Sequence, residues 1–216
     1  MTVHPLISLA FDGSGIDGSL FTAGTDLARD TRWLNTPLEV WTNAGLGVFA
    51  VLMLVGWWKA RRRDTPAMTL ALAAPVAVVL SFAIAEIVKK VVAEVRPCYS
   101  LPHDYFVDAC PARSDYAFPS GHSTVAAATV AALWLLDRRL AVIAAIFALF
   151  EGFTRVYLGA HYPHDVLGAA LLALPVAYLT SRLLGHAAVP LVTRLRAGVL
   201  RPLLAVPPRG PEASWQ

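Results

Sequence analysis

Two stretches of the chain, Val40 to Trp58 and Thr65 to Ala85, contain no charged side chain. A helix rises about 1.5 Å per residue and bilayer hydrocarbon is about 30 Å thick, so roughly 20 mostly apolar residues cross it. Either stretch is long enough, and three others qualify or nearly do. Ser123 to Leu136 is short without its Pro119-Ser120-Gly121-His122 lead-in, Leu140 to Leu158 spans but carries Glu151 and Arg155, and Val166 to Ser181 is closed by Arg182. The runs are rich in Ala, Leu and Val and do not alternate, which excludes transmembrane strands. The expected fold is therefore all-α, a polytopic transmembrane helical bundle of about five spans. Only 15% of the 216 residues are charged and 56% are hydrophobic. A soluble domain has about 25% charged residues with which to cover its surface, so a water-soluble class is excluded.

Segment Leu20 to Leu38 reads as an amphipathic helix lying along the membrane interface. There is no basic residue before Arg29 and no early apolar core, so a cleaved signal peptide is not expected. The reading is one domain over residues 1–188, followed by a cytoplasmic tail over 189–216 that loses order after Pro207.

The net charge of +3 could suggest a nucleic-acid partner, but the position of the cations argues for topology instead. Lys59, Arg61, Arg62 and Arg63 follow the first span, Arg138 and Arg139 the third, and Arg182, Arg194, Arg196, Arg201 and Arg209 the fifth. These eleven of eighteen basic residues fall on one side. Asp12, Asp17, Asp26, Asp30, Asp104, Asp108 and Asp115 fall on the other. Lys and Arg accumulate on the cytoplasmic side, so the C-terminus is expected inside and the loop from Arg96 to Pro119 outside, in a multi-pass protein of the plasma membrane.

Ionisable residues at the membrane boundary are costly, and here they gather on the outer side. Lys89 and Arg96 stand seven apart, two helical turns, at the outer end of the second span. Arg155 lies at the outer end of the fourth. Pro119-Ser120-Gly121-His122 opens the third span, where free amides of a first helical turn attract an anion. His161-Tyr162-Pro163-His164-Asp165 opens the fifth and brings Asp165 within reach of the His161 ring. Three cations, a helix-terminal anion site and two histidines form a phosphate-handling centre. Taken singly, His122 or Asp165 could merely cap a helix.

Lys89 followed by Arg96-Pro97, then Pro-Ser-Gly-His at 119–122, then Arg155 followed by His161 and Asp165, resembles the three-part signature of the type 2 phosphatidic acid phosphatase (PAP2) superfamily. The likeness covers residues 89–165. It departs at Thr154, where the family usually has Ser, and in having a single span before the first motif where many members have two. The resemblance implies His161 as nucleophile through a phosphohistidine, Asp165 orienting its ring, and His122 as acid and base. It also implies that Lys89, Arg96, Ser120, Gly121 and Arg155 bind the phosphoryl oxygens. The chemistry needs no metal and no cofactor.

A lipid phosphate in the bilayer is the implied substrate, and undecaprenyl diphosphate the first choice. Phosphatidic acid or phosphatidylglycerol phosphate, a lipid phosphotransferase, a lipid-phosphate transporter and a catalytically dead scaffold are the alternatives. The oligomeric state is left open.

Outside the motifs, Glu151 is expected to hold Arg155, Lys90 to pair with Glu86 and Glu94, and His164 to serve at the surface. Cys98 and Cys110 in the outer loop are expected to form a disulfide, with two free thiols as the alternative. His4, His103 and His186 belong to no constellation.

Overall fold

The structure, a computed structural model, describes residues 11–205. Among the described residues ten helices follow one another: α1 Ser14–Asp30, α2 Arg32–Ala44, α3 Leu46–Ala60, α4 Thr65–Val92, α5 Pro97–Ser100, α6 Gly121–Leu136, α7 Arg138–Tyr157, α8 Pro163–Ala187, α9 Val189–Ala197 and α10 Arg201–Leu204. No strand occurs among the described residues. His4, Arg209 and the segment after Pro207 lie outside them.

Polar caps set the helix starts. The Asp64 carboxylate accepts the Ala67 amide at 3.0 Å, and Asp137 accepts those of Arg139 and Leu140 at 3.0 and 3.3 Å. Each satisfies amides that a first turn leaves without an intrahelical acceptor. Asp137 also ends α6, because its extended backbone (φ −155°, ψ 107°) separates the two helices.

The five expected spans are only partly recovered. Three helices, α4, α7 and α8, are long and apolar enough to cross a membrane, and the bent pair α2 and α3 makes a fourth if taken together. The apolar stretch after Val40 is broken at Gly45 by a 44° bend. α6 has 16 residues and rises roughly 24 Å at about 1.5 Å per residue, short of a full crossing. The expected helix over 20–38 is two helices parted at Thr31 (φ −115°, ψ 47°). Beyond residue 188 the chain continues as α9, whose Val192 is buried in the bundle core.

The interhelical packing is built from small side chains. Ala74 and Ala77 of α4, Ala128 and Ala131 of α6, and Ala173 and Ala177 of α8 are buried, which lets the backbones approach closely. Many large residues point outward: Val79 and Ile87 of α4, Ile146 and Leu149 of α7, and Leu167, Leu171 and Leu183 of α8 are all exposed. Outward Leu and Ile around an Ala core is the inverse of a water-soluble bundle and matches a hydrocarbon surround.

Basic residues gather at one end of the bundle. Lys59 pairs with Asp137, Arg63 donates to the Leu136 carbonyl at 2.8 Å, and Arg196 donates to the Arg63 carbonyl at 2.9 Å. The C-terminal end of α4, the N-terminal end of α6, the C-terminal end of α7 and the N-terminal end of α8 meet at the opposite end.

Candidate active site

The turn before α8 fixes the His161 ring. α7 closes at Leu158, Gly159 takes the left-handed conformation (φ 83°) that reverses the chain, and the amides of Ala160 and His161 both donate to the Arg155 carbonyl. Pro163 starts α8, and the Asp165 Oδ2 reaches back to accept the Tyr162 amide at 2.9 Å. The same oxygen lies 3.2 Å from His161 Nδ1. On the other side of the ring, Arg96 Nη1 lies 2.9 Å from His161 Nε2. A guanidinium only donates and a carboxylate accepts, so Nδ1 carries the proton and Nε2 the lone pair. The ring is 2% exposed, and burial together with Arg96, Arg155 and Lys89 holds it neutral well below its ordinary value.

His161 and His122 line one cavity of about 350 Å³ together with Lys89, Arg96, Arg155 and Gly121. Leu46, Phe82 and Val125 supply an apolar side to the same cavity. The Ser120 amide donates to the Asp165 carbonyl at 3.2 Å, which ties the start of α6 to the start of α8. Ser120 caps α6, its hydroxyl 3.5 Å from the Ser123 amide. All eight residues named from the sequence are thus gathered at one end of four helices, with Ser120 and Asp165 behind the cavity wall.

Lys89 and Arg96 reach this point by a different route from the expected one. They do not share a helix face, because α4 ends at Val92 and Ala93 is left-handed (φ 51°), its amide closing the helix on the Lys89 carbonyl. Arg96 is extended (φ −61°, ψ 145°), as a residue before proline prefers. Its guanidinium then clamps two segments through three contacts: Nε donates to the Asp115 carbonyl at 3.0 Å, Nη1 to the Ala160 carbonyl at 3.0 Å, and Nη2 pairs with the Asp115 carboxylate at 2.9 Å.

The loop between α5 and α6 contributes two carboxylates that the motif reading passed over. Asp115 bridges Lys89 at 3.6 Å and Arg96, while Asp108 pairs with Arg155 at 3.3 Å. Burial pushes the Asp108 carboxyl above the usual range, with Arg155 opposing. Cys98 and Cys110 are disulfide-bonded, Cα to Cα 6.0 Å, across the base of this loop. The signal available in the sequence was the concentration of Asp on the outer side, which served there only to assign topology.

Glu151 holds Arg155 indirectly. Arg155 Nη1 donates to the Thr42 hydroxyl at 2.8 Å, and that hydroxyl donates to Glu151 Oε1 at 3.0 Å. Lys90 does not take its expected partners, since Glu86 pairs with Lys89 at 3.2 Å and Glu94 with His164 at 2.8 Å. His164 is not a surface residue. It bridges Asp17 (2.7 Å) and Glu94 while stacking on Tyr162, and so braces α1 against the start of α8. Glu94, His164 and Asp165 offer ligand atoms within 4.8 Å of one another, a grouping a metal ion could use. In the structure the His164 Nε2 hydrogen-bonds Glu94 directly at 2.8 Å.

The PAP2 superfamily matches residues 70–187, more than half of the chain. The chain belongs to the PAP2 superfamily. It is 35% identical over 99 residues to undecaprenyl-diphosphatase BcrC of Bacillus subtilis, covering 45% of this chain and 51% of that one. It is 40% identical over 94 residues to lipid A 1-phosphatase of Rhizobium etli, covering 42% and 40% respectively. The matches thus span about half or less of those curated relatives. The fold also matches the crystal structure of a transmembrane PAP2 type phosphatidylglycerolphosphate phosphatase from Bacillus subtilis, with a TM-score of 0.57, 23% identity, and 77% of this chain and 85% of that chain covered. Helices long enough to span and these membrane relatives make this a membrane protein.

Proposed function

We propose that the chain is a metal-independent lipid phosphatase that hydrolyses undecaprenyl diphosphate through a phosphohistidine on His161. One observation carries the reading: Nε2 of His161, bearing the lone pair, points at Arg96 inside a cavity lined by His122, Lys89 and Arg155. A phosphoryl oxygen held by Arg96 brings phosphorus beside the nitrogen that attacks it. The Nε2–P bond forms as the bond from phosphorus to the leaving oxygen breaks, and His122 gives that oxygen its proton. Water then attacks the phosphohistidine, passes a proton to His122, and phosphate departs as the N–P bond breaks. Lys89, Arg96 and Arg155, with the Gly121 amide, offset the charge on the phosphoryl oxygens, which is the service a metal would otherwise provide, while Ser120 caps the helix behind them.

The apolar wall of Leu46, Phe82 and Val125 supports a substrate whose tail stays in the bilayer. The names of several relatives favour undecaprenyl diphosphate over other lipid phosphates, and the basic end of the bundle favours a site facing outside with the C-terminus in the cytoplasm.

The test is phosphate release by purified protein in detergent, with and without a chelator. The panel comprises undecaprenyl diphosphate, lipid A, phosphatidic acid and phosphatidylglycerol phosphate. Undecaprenyl diphosphate is expected to give the highest kcat/KM, with no loss to chelator, and His161→Ala to abolish both turnover and the acid-labile phosphoprotein. Hydrolysis surviving in His161→Ala refutes the nucleophile. Phosphate binding without release by the wild type would mean transport, and a labelled acceptor product would mean a phosphotransferase.

A further inference from the structure

The motif residues do not explain how Arg155 is aimed. Arg155 is 8% exposed and Glu151 is fully buried one turn away, yet Glu151 Oε2 and Arg155 Nε have no hydrogen-bond partner among the described residues. What joins the two side chains is Thr42, which is 1% exposed and comes from α2, outside the residues matched by the family. Its hydroxyl has one proton. A guanidinium can only donate and a carboxylate accepts, so the order Arg155 to Thr42 to Glu151 fixes the rotor in one direction. Bonds to charged partners are the stronger kind, and there are two on one hydroxyl.

Thr42 is brought there by the break in the helix. α2 stops at Ala44, and the 44° bend to α3 leaves no backbone amide bonded to the Thr42 carbonyl among the described residues. One residue at the bend therefore addresses Arg155 and Glu151 together.

We infer that Thr42 is a positioning residue of the phosphate site: its hydroxyl couples Glu151 to Arg155 and holds the guanidinium in the orientation that meets the transferring phosphoryl group. This rests on the reading of Arg155 as a phosphoryl ligand. Misplacing such a group by a fraction of its reach costs up to about 100-fold in rate. Thr42→Val keeps the shape and removes the hydroxyl, and Thr42→Ser keeps the hydroxyl.

The experiment measures kcat, KM and the dissociation constant of orthovanadate, a phosphoryl transition-state mimic, by direct binding and on the folded fraction. Thr42→Val is expected to lose about 10- to 100-fold in kcat and a similar factor in vanadate affinity, with KM changed by less than about threefold, because the interaction is made chiefly in the transition state. Thr42→Ser should restore both, a rescue that a purely steric role would not give. Glu151→Gln should weaken vanadate binding in the same direction, with little further loss when combined with Thr42→Val.

Wild-type kcat and vanadate affinity in Thr42→Val overturn the inference and leave the phosphatase reading intact. If Thr42→Val does not fold, unchanged vanadate affinity in Glu151→Gln overturns it instead. A wild type that binds vanadate in a Thr42-dependent way but hydrolyses no lipid phosphate sinks the proposed activity and keeps Thr42. A wild type that binds no vanadate removes both.

Discussion

Asp115 holds its carboxylate between Lys89 and Arg96 while remaining about half exposed, so a phosphorylated substrate must compete with it for both cations. An exposed ion pair contributes about 0.2–1 kcal/mol, which corresponds to roughly a one- to fivefold change in an equilibrium. Asp115→Asn is accordingly expected to lower KM up to about fivefold, an effect that shrinks in high salt. A raised KM would mean that Asp115 instead buckles the loop into place. His161 yields a pH prediction of definite sign. Burial, then Arg96, Arg155 and Lys89, hold it neutral well below its ordinary value of 6.5. The proposed nucleophile therefore stays neutral as pH falls through 6.5, and the acid limb of kcat/KM that reports it should lie below that value. The unfolded chain takes up the proton that the folded site refuses, so this group costs stability below pH 6.5 and nothing above it. Thermal melts at pH 7.5 and 5.5 check the second half. Spacing alone named the cations and both imidazoles because each motif is local. Thr42, Asp108 and Asp115 were not legible, since their roles arise only when α2 and the outer loop fold over α7.

The helix α8 carries Asp165, the partner of the His161 ring, and its fit against the segment leading into α6 is close. A Cβ on Gly168 would overlap the Phe118 ring, two residues before Ser120. A forced shift of that ring presses on the Ser120 to Asp165 bond that ties the two helix starts. Overpacking of this kind costs about 1–3 kcal/mol, and Gly168→Ala should lower thermal stability by that amount and reduce kcat as well. Wild-type kcat in a destabilised Gly168→Ala would separate packing from catalysis. Helix type and approximate position were legible from uncharged runs, whereas the ends were set by single residues: Asp137 parting α6 from α7, Thr31 parting α1 from α2, and Ala93 stopping α4 before Arg96. The Lys89 to Arg96 spacing suggested one helix face, but a left-handed residue and a following proline sent the two cations to the same cavity by a bend.

At the scale of the whole molecule, charge is segregated along the bundle axis. The phosphate cavity and the disulfide-closed loop occupy the end opposite Arg63, Asp137 and Arg196. Excess Lys and Arg favour the cytoplasmic side, and the proposed orientation, cavity outward, rests on that axis. The Cys98–Cys110 bond has a sequence separation of 12, and closing a loop of about that length contributes roughly 3 kcal/mol in the chain-entropy model. These two facts yield one experiment with two readings. In intact cells, a membrane-impermeant reductant followed by an impermeant thiol label should mark Cys98 and Cys110, while a fluorescent reporter fused after the last residue should fold and fluoresce in the cytoplasm. In purified protein, the same reduction should lower thermal stability by up to that amount and loosen the loop that brings Asp108 to Arg155, shifting KM before kcat. Labelling that requires broken cells would turn the cavity inward. A lipid headgroup on the cytoplasmic leaflet would then be the substrate, because a charged headgroup does not cross hydrocarbon unaided.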